Sequence, residues 1–207
     1  MANFAEGEEE VSTKYWKQFT PFYFYTTAVS VLGVAAATCE TRPLVGILRL
    51  FICGFLSWAV VEYGLHRFVF HYSARMAPSG LFFTAPHQSH HDHPQAVDQL
   101  FSSLRMSAPV ALLYCLLTWA VLGSWQAMAY LFVGLILGYF SYEWLHYQAH
   151  HGAPRLRPLK YLRKYHLLHH HRTPEQRFGV TSPVVDYLCG TFRPVGRRDH
   201  GAPEHLS

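Results

Sequence analysis

Charge is what this sequence has least of. Asp, Glu, Lys and Arg supply only 14% of its 207 residues, against roughly 25% in a typical soluble domain. A chain so short of charge lacks the surface of an ordinary soluble protein. Its mean hydropathy of +0.05 hides this, because histidines and a basic tail dilute the apolar stretches. Cysteine is scarce too. Cys39, Cys53, Cys115 and Cys189 form no C-x-x-C pair, and three of them lie in or beside apolar runs, where a free thiol acts as a small hydrophobe. That excludes a disulfide framework and a cysteine metal site. The N-terminus lacks the positive charge of a secretory signal, since Glu6, Glu8, Glu9 and Glu10 give it the opposite sign. The net charge of +4 comes from a late cluster: Arg155, Arg157, Lys160, Arg163, Lys164, Arg172 and Arg177. Nucleic acid attracts such clusters. Beside apolar segments, the positive-inside bias and anionic headgroups explain it better. No nucleic-acid partner is expected; a membrane is.

Four apolar segments are present, at about 22–38, 44–61, 108–122 and 127–142. Crossing a bilayer takes roughly 20 apolar residues. The last two segments reach that only with their neighbours, so membrane helices are expected at 22–38, 44–70, 106–122 and 127–146. Only Glu40-Thr41-Arg42-Pro43 joins the first pair, and little more than Gly123-Ser124-Trp125 joins the second. Links this short force helical hairpins. The expected fold is all-α: an integral membrane protein with four transmembrane helices in two hairpins. A helical histidine-rich metal domain, 72–105 and 147–207, caps them. Residues 1–20 form a tail or interfacial segment, and 21–207 one domain. Lys14, Tyr15, Trp16 and Lys17 suit a headgroup-level anchor. Each hairpin returns to its starting side, so the tail, the 72–107 loop and residues 151–207 share one face. Arginines favour that face and are absent from 123–126, so it is expected to be cytoplasmic. A soluble helical bundle is the alternative for the two short segments.

Histidine is abundant, with 15 in the chain. Ten fall into four groups: His66 and His71; His87, His90 and His91; His146 and His150; His166, His169 and His170. Neutral imidazole is the commonest protein metal ligand. Residues three and four apart share a helix face, so His146 and His150 point one way, and each H-x-x-H-H group lies in one stripe. His66 and His71 are five apart. Either a π-type bulge realigns them or the helix ends near Phe70 and the chain swings back. Ten imidazoles exceed one metal's needs; two metals with up to five nitrogens each use them all. All-nitrogen donors suit zinc, copper, iron or nickel. Glu62 and Glu143 stand one turn before His66 and His146. They are candidate acceptors for the far N–H of a ligating imidazole, or else interfacial carboxylates. His93, His151 and His171 lie beside the groups but off the pattern, as supporting or incidental residues. His200 and His205 are expected to be solvated.

The ordered groups resemble the histidine boxes of the fatty acid hydroxylase superfamily, most of all its fatty acid 2-hydroxylases. The resemblance runs over about 55–192. It includes Glu62-Tyr63-Gly64-Leu65-His66-Arg67-Phe68-Val69-Phe70-His71 and His87-Gln88-Ser89-His90-His91. It continues through Glu143-Trp144-Leu145-His146-Tyr147-Gln148-Ala149-His150 and His166-Leu167-Leu168-His169-His170. It ends with Phe178-Gly179-Val180-Thr181-Ser182-Pro183, Asp186 and Gly190-Thr191. The resemblance implies a dinuclear metal centre on the cytoplasmic side of four membrane helices, and O2-dependent hydroxylation of an acyl chain next to its carboxyl end. Iron or zinc is implied as the metal. Zinc has no redox chemistry, so iron is expected for turnover and zinc as a bound species. Many members carry an N-terminal cytochrome b5-like domain with an H-P-G-G motif. This sequence has no such motif, so a separate cytochrome b5-like or ferredoxin-like protein is expected to deliver electrons. The basic stretch from Arg155 to Lys164 suits an acidic donor or lipid headgroups. The implied site is the endoplasmic reticulum in a eukaryote or the inner membrane in a bacterium.

Two other functions fit parts of the pattern. A carotenoid or sterol hydroxylase of the same superfamily keeps the chemistry and changes the substrate. A metal-binding or metal-transporting membrane protein keeps the metal without the chemistry. Transport calls for polar residues within the spans, where Arg49 stands nearly alone.

Overall fold

A computed structural model gives the fold and describes residues 18–72 and 85–196. The suggested anchor at Lys14, Tyr15, Trp16 and Lys17, and also His200 and His205, lie outside the described residues. Among those residues the chain is helical, with no strand. The α-helices are α1 (Thr20–Thr38), α2 (Leu44–Gly64), α3 (Ala85–Asp92), α4 (Leu104–Leu122), α5 (Trp125–His151), α6 (Arg157–His171) and α7 (Val184–Leu188). A π-helix, Leu65–Tyr72, continues α2, and a 3-10 turn, Val97–Gln99, precedes α4. Proline starts α1 and α6, where its missing N–H is no loss. Gly123, at φ 60°, closes α4.

The chain divides into two compact units. The first holds residues up to Phe55 together with Phe101–Leu137; the second holds Leu56–Leu100 and residues from Gly138 on. In the first, the two hairpin turns are tied together: Arg42 donates to Ser124 Oγ at 2.7 Å and pairs with Glu40 at 3.0 Å. Helices α2 and α5 touch backbone to backbone. A Cβ on Gly54 would stand 2.0 Å from the Leu131 carbonyl oxygen, and one on Gly134 2.1 Å from that of Phe51. Small residues of this kind let membrane helices approach closely. An apolar cavity of about 530 Å³ lies between α1 and α4, against Phe132 of α5.

Four helical stretches are long and apolar enough to span a bilayer: Thr20–Thr38, Leu44–His71, Val97–Leu122 and Trp125–His151. In the first three, only 17%, 11% and 6% of the apolar window is buried within the protein. A soluble bundle would turn those faces inward. Exposed Val31, Leu48, Ile52, Leu113, Leu117 and Val121 instead present the apolar surface that lipid requires. The chain is a multi-pass membrane protein. The fourth stretch is half buried. It runs unbroken to His151, beyond the end expected near residue 146.

In the second unit, Trp58 of α2 meets Tyr139 and Tyr142 of α5. Buried Tyr165, Leu167 and Leu168 fill the inner face of α6. Around this core stand the histidines.

Candidate metal centre

Four elements carry the four histidine groups: the π-helix, α3, α5 and α6. The π-helix settles the awkward spacing of the first pair. Its i→i+5 hydrogen bonding realigns residues five apart, and His66 and His71 join one cluster. On α5, the i, i+4 pair His146 and His150 projects from a continuous helix.

The two H-x-x-H-H groups do not each serve one centre; each divides between two. One cluster gathers His66, His71, His87, His91 and His169, and the other His90, His146, His150, His166 and His170. Helix geometry explains the split. At 3.6 residues per turn, the i+4 side chain lies about 40° to one side of residue i and the i+3 side chain about 60° to the other. On α3 the i and i+4 residues, His87 and His91, go one way and His90 the other. On α6 His166 and His170 go together and His169 departs. The clusters meet where the His91 and His170 rings stack, with centroids 4.0 Å apart.

Within each cluster the ligand atoms all lie within 4.8 Å of one another. In the first, Nε2 of His71 is 3.0 Å from that of His87 and 3.1 Å from that of His169, and Nε2 of His87 is 3.1 Å from that of His91. In the second, the Nε2 atoms of His150 and His166 are 3.0 Å apart. Two imidazole nitrogens about 2.1 Å from one ion and at right angles to each other are separated by about 3.0 Å. The buried nitrogens His66 Nε2, His90 Nδ1 and Nε2, His146 Nδ1, His150 Nδ1, His166 Nδ1, and His170 Nδ1 and Nε2 have no hydrogen-bond partner among the described residues. Orphans of that number are costly in a folded interior. A cation in each cluster fits both the spacing and the orphans.

Protonation favours the same reading. Burial, followed by repulsion from neighbouring imidazoles, holds His87, His166, His169 and His170 well below the ordinary histidine range. Burial pushes His90 down to about 3 and His91 to about 4. At neutral pH these rings are uncharged, the form that binds metal.

Two rings of the first cluster are fixed by backbone. His66 Nδ1–H donates to the Phe178 carbonyl at 2.5 Å, and His169 Nδ1–H to that of Gln176 at 2.7 Å. Each bond sets the tautomer that leaves Nε2 with its lone pair free. The Phe178 ring packs against His66, His71 and His169. Glu62 is buried, but its oxygens accept from Val180 N, Thr181 N and the Thr181 hydroxyl. It therefore anchors the strip that carries the Phe178 carbonyl and reaches His66 only through that strip. Glu143 is fully buried one turn before His146. His93 and His171 are exposed, and the half-buried His151 stacks on Tyr147; none of the three belongs to either cluster. Sequence reasoning assigned no role to Gln176, Phe178 or Asp186. The first two act through backbone carbonyls, which residue type does not reveal. For Asp186 the available signals were its place in the stretch after the last histidine group and a lone carboxylate between apolar residues in VVDYL.

Four membrane helices and two five-histidine clusters define a polytopic membrane protein with a histidine-walled metal centre. A profile of the family described as Fatty acid hydroxylase matches residues 51–191, a stretch that holds all ten clustered histidines. The chain belongs to the fatty acid hydroxylase family. It is 31% identical over 199 residues to dihydroceramide fatty acyl 2-hydroxylase FAH2 of Arabidopsis thaliana, covering 90% of this chain and 81% of that protein. It is 33% identical over 151 residues to fatty acid 2-hydroxylase of Rattus norvegicus, covering 71% of this chain and 40% of that protein. Among solved structures it resembles full-length scs7p, of which only the hydroxylase domain is visible. The TM-score is 0.73 at 26% identity, over 87% of this chain and 70% of that one.

Proposed function

We propose that the protein is a membrane-bound, O2-dependent hydroxylase that places a hydroxyl on carbon 2 of a fatty-acyl chain, free or within a sphingolipid. The observation that carries this reading is the division of ten imidazoles from four elements into two clusters of five. In balance, one C–H bond, O2, two electrons and two protons give one C–OH and one water. His66, His71, His87, His91 and His169 hold one ion; His90, His146, His150, His166 and His170 hold the other. The bound metal supplies the redox chemistry that attack on an unactivated C–H bond needs, which favours iron for turnover, zinc being redox-inert.

The chain's own part is to keep ten neutral lone pairs aimed inward and to hold them there. The Phe178 and Gln176 carbonyls orient two of the rings, and Glu62 anchors the strip that carries one of those carbonyls; Glu143 lies fully buried one turn before His146. The histidine unit faces the cytoplasm, at the endoplasmic reticulum of a eukaryote or the inner membrane of a bacterium. Its electrons come from a separate cytochrome b5-like or ferredoxin-like protein, drawn by exposed Arg155, Arg157 and Lys160.

Mass spectrometry of total lipids from a host with and without the protein tests the activity. The expected result is a gain of one oxygen on carbon 2 of acyl chains. Unchanged acyl lipids alongside newly hydroxylated pigments or sterols would move the substrate elsewhere in the superfamily.

A further inference from the structure

The two clusters are supported unequally, and a buried carboxylate outside both, Asp186, contributes to the difference beside Glu62 and the Gln176 carbonyl. Asp186, on α7, is fully buried. Its Oδ1 accepts from Phe178 N at 2.9 Å and from the Thr191 hydroxyl at 2.7 Å, and its Oδ2 from Gly179 N at 2.8 Å. Its backbone carbonyl takes Thr191 N and Phe192 N. The strip it holds is Phe178–Gly179, whose Phe178 carbonyl receives the His66 Nδ1–H bond. Gly179 lies so close that a Cβ there would be 2.1 Å from the Ser182 carbonyl oxygen and 3.0 Å from Asp186 Oδ2. Next along the chain, Arg177 adopts a left-handed φ of 63° and donates its backbone N–H to the Thr191 carbonyl at 3.1 Å. The strip is therefore pinned on both sides of the carbonyl that matters.

Among the described residues, no backbone carbonyl holds a ring of the second cluster in this way. The Nδ1 atoms of His146, His150 and His166 have no hydrogen-bond partner among the described residues, nor does either nitrogen of His90 or His170. Asp186 reaches the first cluster through two backbone amides and one carbonyl. Its carboxylate also lies beside Tyr165 of α6, but none of its hydrogen bonds to the strip reaches a ring of the second cluster.

We propose that Asp186 is a positioning residue for one of the two metal positions, the one walled by His66, His71, His87, His91 and His169, and not for the other. This rests on the two-ion reading above. Through the Phe178 carbonyl, Asp186 fixes the tautomer and aim of His66, and that position holds its ion more tightly because of it. Asp186→Asn is isosteric and sets an NH2 against a backbone N–H, so it loosens the strip without opening a cavity. Losing such indirect support of a ligand costs about 10- to 100-fold in metal affinity.

The test counts Zn2+ bound to the full-length protein, purified in detergent, stripped by chelator and reloaded against a competing chelator. Wild type binds two ions per chain; fewer would overturn the two-ion reading and this proposal with it. In a His146→Ala/His150→Ala background, which keeps the first cluster, D186N weakens the remaining ion 10- to 100-fold. In a His71→Ala/His169→Ala background, which keeps the second, D186N changes affinity less than twofold. Equal weakening in both backgrounds would show a merely structural residue, and no weakening in the first would show no role; either result overturns the proposal. If D186N does not accumulate, Thr191 gives the same contrast. Thr191→Val removes one donor to Asp186 and weakens the first position alone, while Thr191→Ser keeps the hydroxyl and restores it. A T191V chain that binds like T191S would equally overturn it.

Discussion

Gly134→Ala adds one methyl group where α2 and α5 touch. The new Cβ would lie 2.1 Å from the Phe51 carbonyl oxygen and 2.7 Å from Phe55 N. Both are backbone atoms, so no side chain can rotate away. Restoring ordinary contact requires the helices to part by about 1 Å, a gap that forfeits a quarter to a half of each dispersion contact. Overpacking of this kind costs about 1–3 kcal/mol, or about 2–12 °C in Tm for a chain of this length. Gly33→Ala is the control, because its Cβ would meet only Val133 Cγ2 at 3.8 Å. There alanine brings its better helix propensity, about 0.5–1 kcal/mol. Tryptophan fluorescence melts in detergent should place G134A below wild type and G33A at or above it. If G134A melts with G33A, the close approach of α2 and α5 is not what holds the spans together.

Three further outcomes are expected. His146→Ala and His169→Ala each abolish the 2-hydroxylated product while the chain stays in the membrane fraction; normal product from either would remove that residue from the centre. Glu62→Ala leaves the Val180 and Thr181 amides without their acceptor, at about 1–3 kcal/mol for each buried donor, which a lowered Tm reports and an unchanged Tm contradicts. For the metal-stripped protein, the folded histidine pKa values lie below the unfolded ones, so unfolding takes up protons. Stability is full above about 6.5 and falls as the pH drops toward the values of about 4 and 3 at His91 and His90. A melting temperature that stays flat from pH 7.5 to 5 would contradict this.

Much of this architecture was legible in the sequence because its signals are local. Apolar runs joined by four-residue or shorter links announce hairpins, and histidines at i, i+3 and i+4 announce a shared face. The sharing of each H-x-x-H-H group between two centres was not legible. It depends on how α3 and α6 are rotated toward each other, which no single segment encodes. The spacing of His66 and His71 raised the question of a π-helix, and only the fold could choose between that and a helix end. The hold on His66 and His169 stayed hidden because its acceptors are main-chain carbonyls, and the Phe178 carbonyl lies on a strip whose amides are held by carboxylates 118 and 8 residues away in sequence.

The π-helical turn at Leu65–Tyr72 has a thermodynamic corollary. Its wide winding is the rarer one, and it serves the first cluster by bringing His66 and His71 together. A cation held by both rings would stabilise this winding over the ordinary α-register by its binding free energy. The helical register at the end of α2 would then be linked to occupancy: loading would deepen the π-register, and demetallation would favour one that rotates His71 away.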